Sequence, residues 1–260
     1  MKILDEQRHV VTKKADGIVT LTMNRADKRN ALSLELMGEL TEALEEIGRD
    51  SGNRAVILRG EGLAFSAGHD LREMLDRSAA EYEHIFDVCI NLMGTIQRIP
   101  QPVIAEVAGI ATAAGCQLVA TCDLAVASTE AHFATSGVRI GLFCATPMVA
   151  LTRAIGRKRA MEMLLLGEMI DAKTACEWGL VNYAVPPNEL AAKTRELAQK
   201  IAALSRFVIG LGKAAFYAVD RDQARAYAYA KDVMVENALA ADGQEGMSAF
   251  VEKRPAQWKP

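Results

Sequence analysis

The chain has 260 residues, with 30 Lys and Arg against 33 Asp and Glu, for a formal net charge of −3. Hydrophobic residues make up 50% and charged residues 24%, an ordinary globular composition that excludes a disordered chain. The slightly acidic balance argues against a dedicated nucleic-acid binder, because such proteins carry an excess of basic residues.

The cysteines and histidines do not have the spacing of a metal site. The five cysteines lack a Cys-x-x-Cys pair, and the four histidines lack a His-Glu-x-x-His pair. We therefore expect reduced thiols, a cytoplasmic location and no metal or redox cofactor. Residues 1–11 lack the apolar core of a signal peptide. The most apolar stretch, 103–127, is interrupted by Glu106, Gln117 and Asp123, so no membrane span is expected.

Predicted strands and helices alternate through the first 130 residues. Short β-rich runs predict strands at 18–23, 55–58, 103–107 and 124–127. Apolar residues at helical spacing predict helices after Ser33, which is a candidate cap, through the stretch before Pro100, and at 113–120. This alternation predicts an α/β fold.

The remainder of the chain is predicted to be mainly helical. Helices are expected at 159–166, 171–178, 189–204 and 224–239. We place a domain boundary near residue 200. Residues 1–200 would form the core, and residues 201–260 a helical region that acts as a lid or in oligomerisation.

Two loops of small residues indicate a candidate catalytic site. Residues 65–71 are Phe-Ser-Ala-Gly-His-Asp-Leu, and residues 108–118 are Ala-Gly-Ile-Ala-Thr-Ala-Ala-Gly-Cys-Gln-Leu. Each follows a predicted strand and leads into a helix, whose first N–H groups lack intrahelical partners. Two such helix starts facing one point would form an oxyanion hole. Close helix–sheet packing is an alternative, and a dinucleotide loop is a weaker one because no Gly-x-Gly-x-x-Gly is present.

These loops, with Asn24-Arg25 and Asn30-Ala31-Leu32 near the start and residues 250–254 near the end, resemble the crotonase (enoyl-CoA hydratase/isomerase) superfamily. The resemblance extends from about residue 8 to residue 256. It implies a spiral of ββα turns and C-terminal helices that build a homotrimer or a hexamer. It also implies an acyl-CoA ligand, with coenzyme A as part of the substrate and no separate cofactor.

The resemblance also implies roles for individual positions. The thioester oxygen would accept hydrogen bonds from the backbone N–H groups of His69 and Ala114. Lys253 would reach a phosphate from a neighbouring subunit, although Lys28 and Lys253 have the alternative of being solvated surface charges. The implied contacts to coenzyme A fall at Arg25, Lys28, Ala67, Gly68, Asp70 and Lys253.

The two glutamates that hold a water molecule in hydratases of this superfamily correspond to Gln117 and Gly137. An amide does not transfer a proton near neutral pH, and glycine has no side chain, so we expect standard hydratase chemistry to be absent. The remaining candidates for chemistry are Cys144 and the His69 side chain, with Glu73 in reserve. For Cys144, burial as a small hydrophobic residue is the alternative.

Three functions remain open at this point. The first is an enzyme that acts on an acyl-CoA through an enolate, by a route other than the two-glutamate water clamp. The second is a decarboxylase of malonyl-type thioesters, which needs no strong base because loss of CO₂ itself creates the enolate. The third is a non-catalytic acyl-CoA binder.

Overall fold

The structure is a computed structural model that describes residues 8–218 and 223–257. Its strands are β1 (Val10–Ala15), β2 (Ile18–Met23), β3 (Ala55–Gly60), β4 (Ala64–Ser66), β5 (Val103–Val107), β6 (Ile110–Thr112), β7 (Leu124–Ser128), β8 (His132–Ala134), β9 (Ile170–Asp171) and β10 (Tyr183–Val185). Its α-helices are α1 (Leu34–Arg49), α2 (Ala79–Arg98), α3 (Ala114–Thr121), α4 (Ala145–Ala154), α5 (Arg157–Leu166), α6 (Ala172–Trp178), α7 (Leu190–Ala202), α8 (Arg206–Ala218), α9 (Gln223–Leu239) and α10 (Ala241–Glu252).

The strands form two sheets that the chain visits in alternation. The larger sheet has the order β1-β2-β3-β5-β7-β10 and is parallel except for the β1–β2 pair. The smaller sheet has the order β4-β6-β8-β9 and is parallel except for the β8–β9 pair. Each turn, β3–β4, β5–β6 and β7–β8, therefore contributes one strand to each sheet. The predicted α/β spiral of ββα turns is confirmed.

The long helices follow from local sequence. Helix α1 begins after Ser33, whose Oγ accepts a hydrogen bond from the Leu36 amide at 3.2 Å, as expected for an N-cap. Helix α2 begins with a capping box between Ser78 and Glu81 and ends before Pro100. Both helices bury their predicted apolar faces, and they pack against each other.

The short strands were not predicted. Strands β4, β6, β8, β9 and β10 have two or three residues each and are defined by pairing with strands distant in the chain. Strand β1, which was also not predicted, pairs with the next strand, β2, across a tight turn. The predicted boundary near residue 200 falls inside α7, which packs on β3, β5 and β7 of the larger sheet. The division into 1–200 and 201–260 stays a prediction.

The C-terminal helices fold back onto the spiral. Helix α9 packs against α2 and α4, and α10 contacts the 3₁₀ turn at Ser136–Ile140. Tyr227 and Met234 of α9 share a buried cluster with Tyr82 and Phe86 of α2. This packing closes one side of the cavity described below.

Within the described residues, no single helix is long and apolar enough to cross a membrane. The bent pair Pro187–Ala202 and Arg206–Ala218 meets the criteria of length and composition only when its two helices are taken together.

Candidate active site

A cavity of about 580 Å³ opens between the two small-residue loops and the C-terminal helices. Most of its wall comes from residues between 27 and 31, 64 and 74, 110 and 114, and 136 and 147. Arg25, Gly68 and Gln117 are not part of the lining. The predicted site residues that line it are Lys28, Ala67, His69, Asp70, Ala114, Gly137, Cys144 and Lys253.

The first loop leaves one backbone amide without an acceptor. Among the described residues, none accepts a hydrogen bond from the His69 N–H. The amides around it are all bonded: Ala67 to Arg29 O at 3.0 Å, Gly68 to Ser66 Oγ at 3.2 Å, and Asp70 to Leu32 O at 3.2 Å. Within the described residues, the His69 N–H is thus a hydrogen-bond donor without an acceptor, and the hydrogen bonds of the adjacent amides hold its loop in place.

The second loop leaves another spare amide where helix α3 begins. Ala114 is the first residue of α3, so its N–H has no intrahelical partner, and no acceptor for it is found in the part of the chain described. Ala113 before it has φ 50° and ψ −119°, and its amide donates to Ala134 O at 2.9 Å. A positive φ at a residue other than glycine is strained, and such strain is held where the surroundings enforce it.

Glycines bring the two loops into contact. Gly68 has φ +90°, and a β-carbon there would lie 2.9 Å from Ala113 Cβ and 3.2 Å from the Ala114 amide nitrogen. A β-carbon at Gly115 would lie 2.3 Å from Ser66 O. Only glycine fits these two positions, so the His69 and Ala114 amides belong to directly adjoining backbone segments.

The His69 side chain is a buried neutral imidazole. Its ring meets Phe86 of α2 edge-on, with centroids 5.7 Å apart, and Nε2 is buried without a hydrogen-bond partner among the described residues. Burial lowers the pKa of His69 from 6.5 to about 4. At neutral pH the ring therefore offers hydrogen bonding but no positive charge.

Gln117, which the family resemblance places where hydratases have their first glutamate, is completely buried in α3. Its Nε2 lies 3.4 Å from Tyr227 Oη of α9, and its Oε1 has no partner within the described residues. Burial raises the pKa of Tyr227 to about 12, so this phenol stays protonated. Sequence reasoning missed Tyr227, because nothing in the local pattern of either segment links two positions this far apart in the chain.

Gly137, which the family resemblance places where hydratases have their second glutamate, lies in a turn without room for a side chain. A β-carbon there would lie 2.3 Å from Leu142 O and 2.8 Å from Cys144 Sγ. The Leu142 amide donates to Gly137 O at 2.9 Å, which holds the two segments at this separation. No side chain fits at this position unless the backbone moves.

Cys144 is buried, with 5% of its surface exposed. Burial raises the pKa of its thiol to about 11, and a hydrogen bond with the Gly137 backbone opposes this only in part. The thiolate is the nucleophilic form of cysteine, so Cys144 is inert at neutral pH. This supports the alternative that Cys144 packs as a small hydrophobic residue.

The carboxylates beside the cavity are engaged by other groups. Glu73 accepts a hydrogen bond from the Leu34 amide at 2.9 Å. Asp70 accepts one from the Arg72 amide at 3.3 Å and forms an ion pair with Arg25 at 3.2 Å. Within residues 8–218 and 223–257, no group of three or more His, Cys, Asp or Glu side chains is placed to hold a metal ion.

Exposed cations line the cavity, and we call four of them the basic rim: Lys28, Arg29, Arg72 and Lys253. The fifth, Arg139, forms an ion pair with Glu168 at 3.4 Å. Lys28 has a loose ion pair with Asp27 at 3.6 Å. Lys253 follows α10 and lines the cavity of its own chain. The expectation that Lys253 reaches a phosphate from a neighbouring subunit stays a prediction.

Comparisons with known proteins agree with the fold. The sequence model described as enoyl-CoA hydratase/isomerase matches residues 13–260. The chain is 45% identical to the mouse protein "Enoyl-CoA hydratase domain-containing protein 3, mitochondrial" over 97% of this chain and 85% of that one. Among solved structures, it is similar to an enoyl-CoA hydratase of Mycobacterium smegmatis, with TM-score 0.81, 47% identity, and coverage of 97% and 99%. It is also similar to human enoyl coenzyme A hydratase domain-containing protein 3, with TM-score 0.80, 44% identity, and coverage of 96% and 100%.

The same comparisons correct the expected location. The similar mouse and human proteins carry the word mitochondrial in their names, which contradicts the cytoplasmic expectation. That expectation was wrong because unpaired cysteines indicate only a reducing environment, and a reducing environment does not distinguish one such compartment from another.

Proposed function

The chain belongs to the enoyl-CoA hydratase/isomerase family, and on this premise we propose that it binds an acyl-CoA thioester and stabilises its enolate without acting as a standard hydratase. The thioester oxygen accepts hydrogen bonds from His69 N–H and Ala114 N–H, and negative charge develops on that oxygen as the enolate forms. Donors that are already in place stabilise this charge without reorganisation, which is a large contribution to catalysis.

The cavity and its charges support this ligand. A volume of about 580 Å³ suits one small-molecule ligand. The basic rim suits the phosphates of coenzyme A, and we assign Lys28 and Lys253 to them, with Ala67 beside the nucleotide. These contacts hold the thioester against the two amides, so binding energy from the nucleotide positions the reacting carbonyl.

The crowded turn at Gly137 is the observation that carries the proposal. Hydration needs a group that activates water and a group that protonates the α-carbon, and each is typically worth about 10²–10⁴-fold in rate. Gln117 supplies an amide that does not titrate, and Gly137 has no space for a carboxylate. The donor pair is kept, whereas the acid–base pair is absent.

Binding and hydration assays on one preparation test the proposal. A conjugated dienoyl-CoA absorbs at longer wavelength when its carbonyl oxygen accepts strong hydrogen bonds, so its spectrum reports the donor pair without turnover. We expect this red shift on binding, together with no detectable hydration of crotonyl-CoA. Absence of the shift, or crotonyl-CoA turnover at an ordinary enzyme rate of about 10 s⁻¹, would contradict the proposal.

Gly68→Ala and Gly179→Ala form a matched pair for this assay. Both glycines have φ +90°, but only Gly68 touches Ala113 and the Ala114 amide, whereas the nearest atom to a β-carbon at Gly179 is Ala154 O at 3.4 Å. We expect Gly68→Ala to abolish the red shift and Gly179→Ala to keep it. Equal loss in both variants would mean that backbone strain alone, rather than damage to the donor pair, removes the signal.

Decarboxylation of a malonyl-type thioester is the second candidate. The neutral, buried His69 imidazole favours it, because the ring offers a hydrogen bond to the substrate and the reaction needs no strong base. The bond from the α-carbon to the carboxylate breaks, CO₂ leaves, the electron pair enters the enolate, and a proton from water then adds to the α-carbon. Release of CO₂ from methylmalonyl-CoA would establish this reaction. Saturable binding of an acyl-CoA without turnover of any thioester would instead show that the protein is a non-catalytic acyl-CoA binder.

We further propose that copies of the chain associate as trimers, or as hexamers built from two trimers. Helix α8 exposes Phe207, Val208 and Leu211, which lie within about 100° of one another around the helix and are between 59% and 76% exposed. Contiguous exposed apolar surface on a globular protein is typical of an interface. Sedimentation equilibrium tests this proposal, and a monomer at micromolar concentration would contradict it.

A further inference from the structure

The segment from Arg25 to Leu32 holds the loop that carries His69. Three backbone contacts join them: Ala67 N–H to Arg29 O at 3.0 Å, Leu32 N–H to Gly68 O at 2.7 Å, and Asp70 N–H to Leu32 O at 3.2 Å. The Ser66 hydroxyl adds a bond to Asn30 O at 2.9 Å. These bonds surround the His69 amide on both sides and leave that amide itself free.

Asn30 anchors the segment in the interior. It is completely buried and has φ +51°, a left-handed conformation that asparagine tolerates better than most residues. Its Nδ2 donates to Ala64 O at 2.8 Å and to Glu61 O at 3.0 Å, and its Oδ1 accepts from the Arg25 amide at 2.9 Å. The position of Arg25 is thereby fixed relative to the strand that leads into the His69 loop.

The Arg25 side chain completes the connection. Its guanidinium donates to Ala31 O at 2.7 Å and to Asp70 Oδ2 at 3.2 Å, and the side chains of Arg25 and Asp70 are only 15% and 16% exposed. Asp70 is the next residue after His69. Because these two acceptors hold the guanidinium beside the His69 loop, and because Arg25 is not part of the cavity lining, its geometry suits positioning better than contact with a phosphate.

We propose that Arg25 is a positioning residue, which acts through Asp70 to aim the His69 N–H at the thioester oxygen. This inference rests on the proposed function, since it explains what orients one of the two N–H donors of that site. It differs from the role that the family resemblance implies for Arg25, which is a direct contact to coenzyme A. If Arg25 contacts coenzyme A directly, its replacement weakens the binding of free coenzyme A, which has no thioester. If Arg25 only positions the His69 N–H, that affinity does not change.

The test compares free coenzyme A with dienoyl-CoA, using Arg25→Met and Arg25→Lys. For Arg25→Met we expect affinity for free coenzyme A to stay within about twofold of wild type. We expect the preference for the thioester over free coenzyme A to fall about tenfold, the value of one good hydrogen bond, and the red shift to shrink. Arg25→Lys keeps the charge toward Asp70 and should recover part of the red shift.

Arg195→Met is the matched control. Arg195 forms an ion pair with Asp16 at 2.8 Å, a pair that involves no cavity residue, so the same substitution should leave both affinities and the red shift unchanged. Thermal unfolding checks that each variant is folded. Weaker binding of free coenzyme A by Arg25→Met with an unchanged red shift would overturn the inference. Absence of the red shift in the wild-type protein would instead overturn the proposed function.

Discussion

A β-carbon at Gly137 would lie 2.3 Å from the carbonyl oxygen of Leu142. The Leu142 amide returns a hydrogen bond to Gly137 O at 2.9 Å, so the two residues hold each other at this separation. The packing of the turn therefore leaves no room for a carboxylate at this position. A single substitution does not recreate the missing glutamate.

Gly137→Ala tests this crowding. We expect the free energy of unfolding to fall by about 1–3 kcal/mol, the usual effect of forcing extra atoms into a packed region. Gly38→Ala is the matched control, because Gly38 lies inside α1 with no atom within 4 Å of its missing β-carbon. That change should stabilise the protein by about 0.5–1 kcal/mol. Urea unfolding of the two variants measures both effects, and equal stability would show that the turn relaxes freely.

The double variant Gln117→Glu with Gly137→Glu extends the test to activity. Because the turn must open to accept a side chain, we expect no gain of crotonyl-CoA hydration in this variant. A rise from undetectable to measurable turnover would show that the turn rearranges into a working acid–base pair.

The sequence predicted what depends on local pattern. Helix α1 was located by its Ser33 cap and its apolar spacing, and the buried residues Tyr82 and Phe86 of α2 by theirs. The two small-residue loops were located because each joins a strand to a helix. Family resemblance then indicated which amides to consider as donors.

The remaining features depend on contacts between distant segments. Strands β6, β8 and β9 have two or three residues each and carry no periodicity, so only their pairing in the smaller sheet reveals them. The ring contact of His69 with Phe86 and the contact of Gln117 with Tyr227 likewise join segments that have no shared local pattern. The family resemblance implied that Gly137 stands where hydratases have a glutamate, but the clash with Leu142 O emerged only from the folded turn.

His69 should make stability depend on pH. Its pKa is about 4 when folded, against 6.5 as the ordinary value, so between these limits the unfolded chain binds a proton that the folded chain does not. The contribution of His69 is therefore complete above pH 6.5 and is lost as pH falls toward 4, by up to about 3 kcal/mol. Denaturant unfolding at several pH values, compared with His69→Gln, measures this contribution as the difference between the two proteins.

His84→Gln serves as the control for that comparison, because His84 is exposed on α2. Its pH profile should match the wild-type profile. If His69→Gln also gives the wild-type slope between pH 6.5 and pH 4, the imidazole is not buried in its neutral form.

Lys213 should be important for stability although it lies outside the cavity. Its side chain is 6% exposed, and its ammonium donates to Ile96 O at 2.7 Å, Gln101 O at 2.9 Å and Asp123 Oδ2 at 2.7 Å. Lys213→Met leaves the Asp123 carboxylate without its cation in a buried setting, so we expect a loss of about 3 kcal/mol in the free energy of unfolding.

Lys14→Met is the control for Lys213→Met, since Lys14 pairs with Asp50 at the same 2.7 Å but both side chains are about half exposed. Exposed ion pairs contribute little to the free energy of unfolding, so this variant should unfold at nearly the wild-type urea concentration. Equal effects of the two lysine changes would mean that burial does not decide the value of the ion pair.

The basic rim should make acyl-CoA binding sensitive to salt. Lys28→Met and Lys253→Met each remove one exposed cation from the cavity lining, and we expect each to weaken binding of an acyl-CoA several-fold at low ionic strength. Because salt screens exposed charges, the difference from wild type should shrink as the salt concentration rises. Calorimetric titration over a range of salt concentrations measures this trend.

Lys173→Met provides the control for the rim, because Lys173 is exposed on α6 beside Glu177 and does not line the cavity. Its removal changes the net charge of the protein by the same amount without touching the rim. Unchanged affinity in this variant, with weaker binding in Lys28→Met and Lys253→Met, would assign the effect to the phosphates at the rim. An equal loss of affinity in all three variants would instead assign the effect to net charge. That result would contradict the proposed contacts of Lys28 and Lys253 with the phosphates.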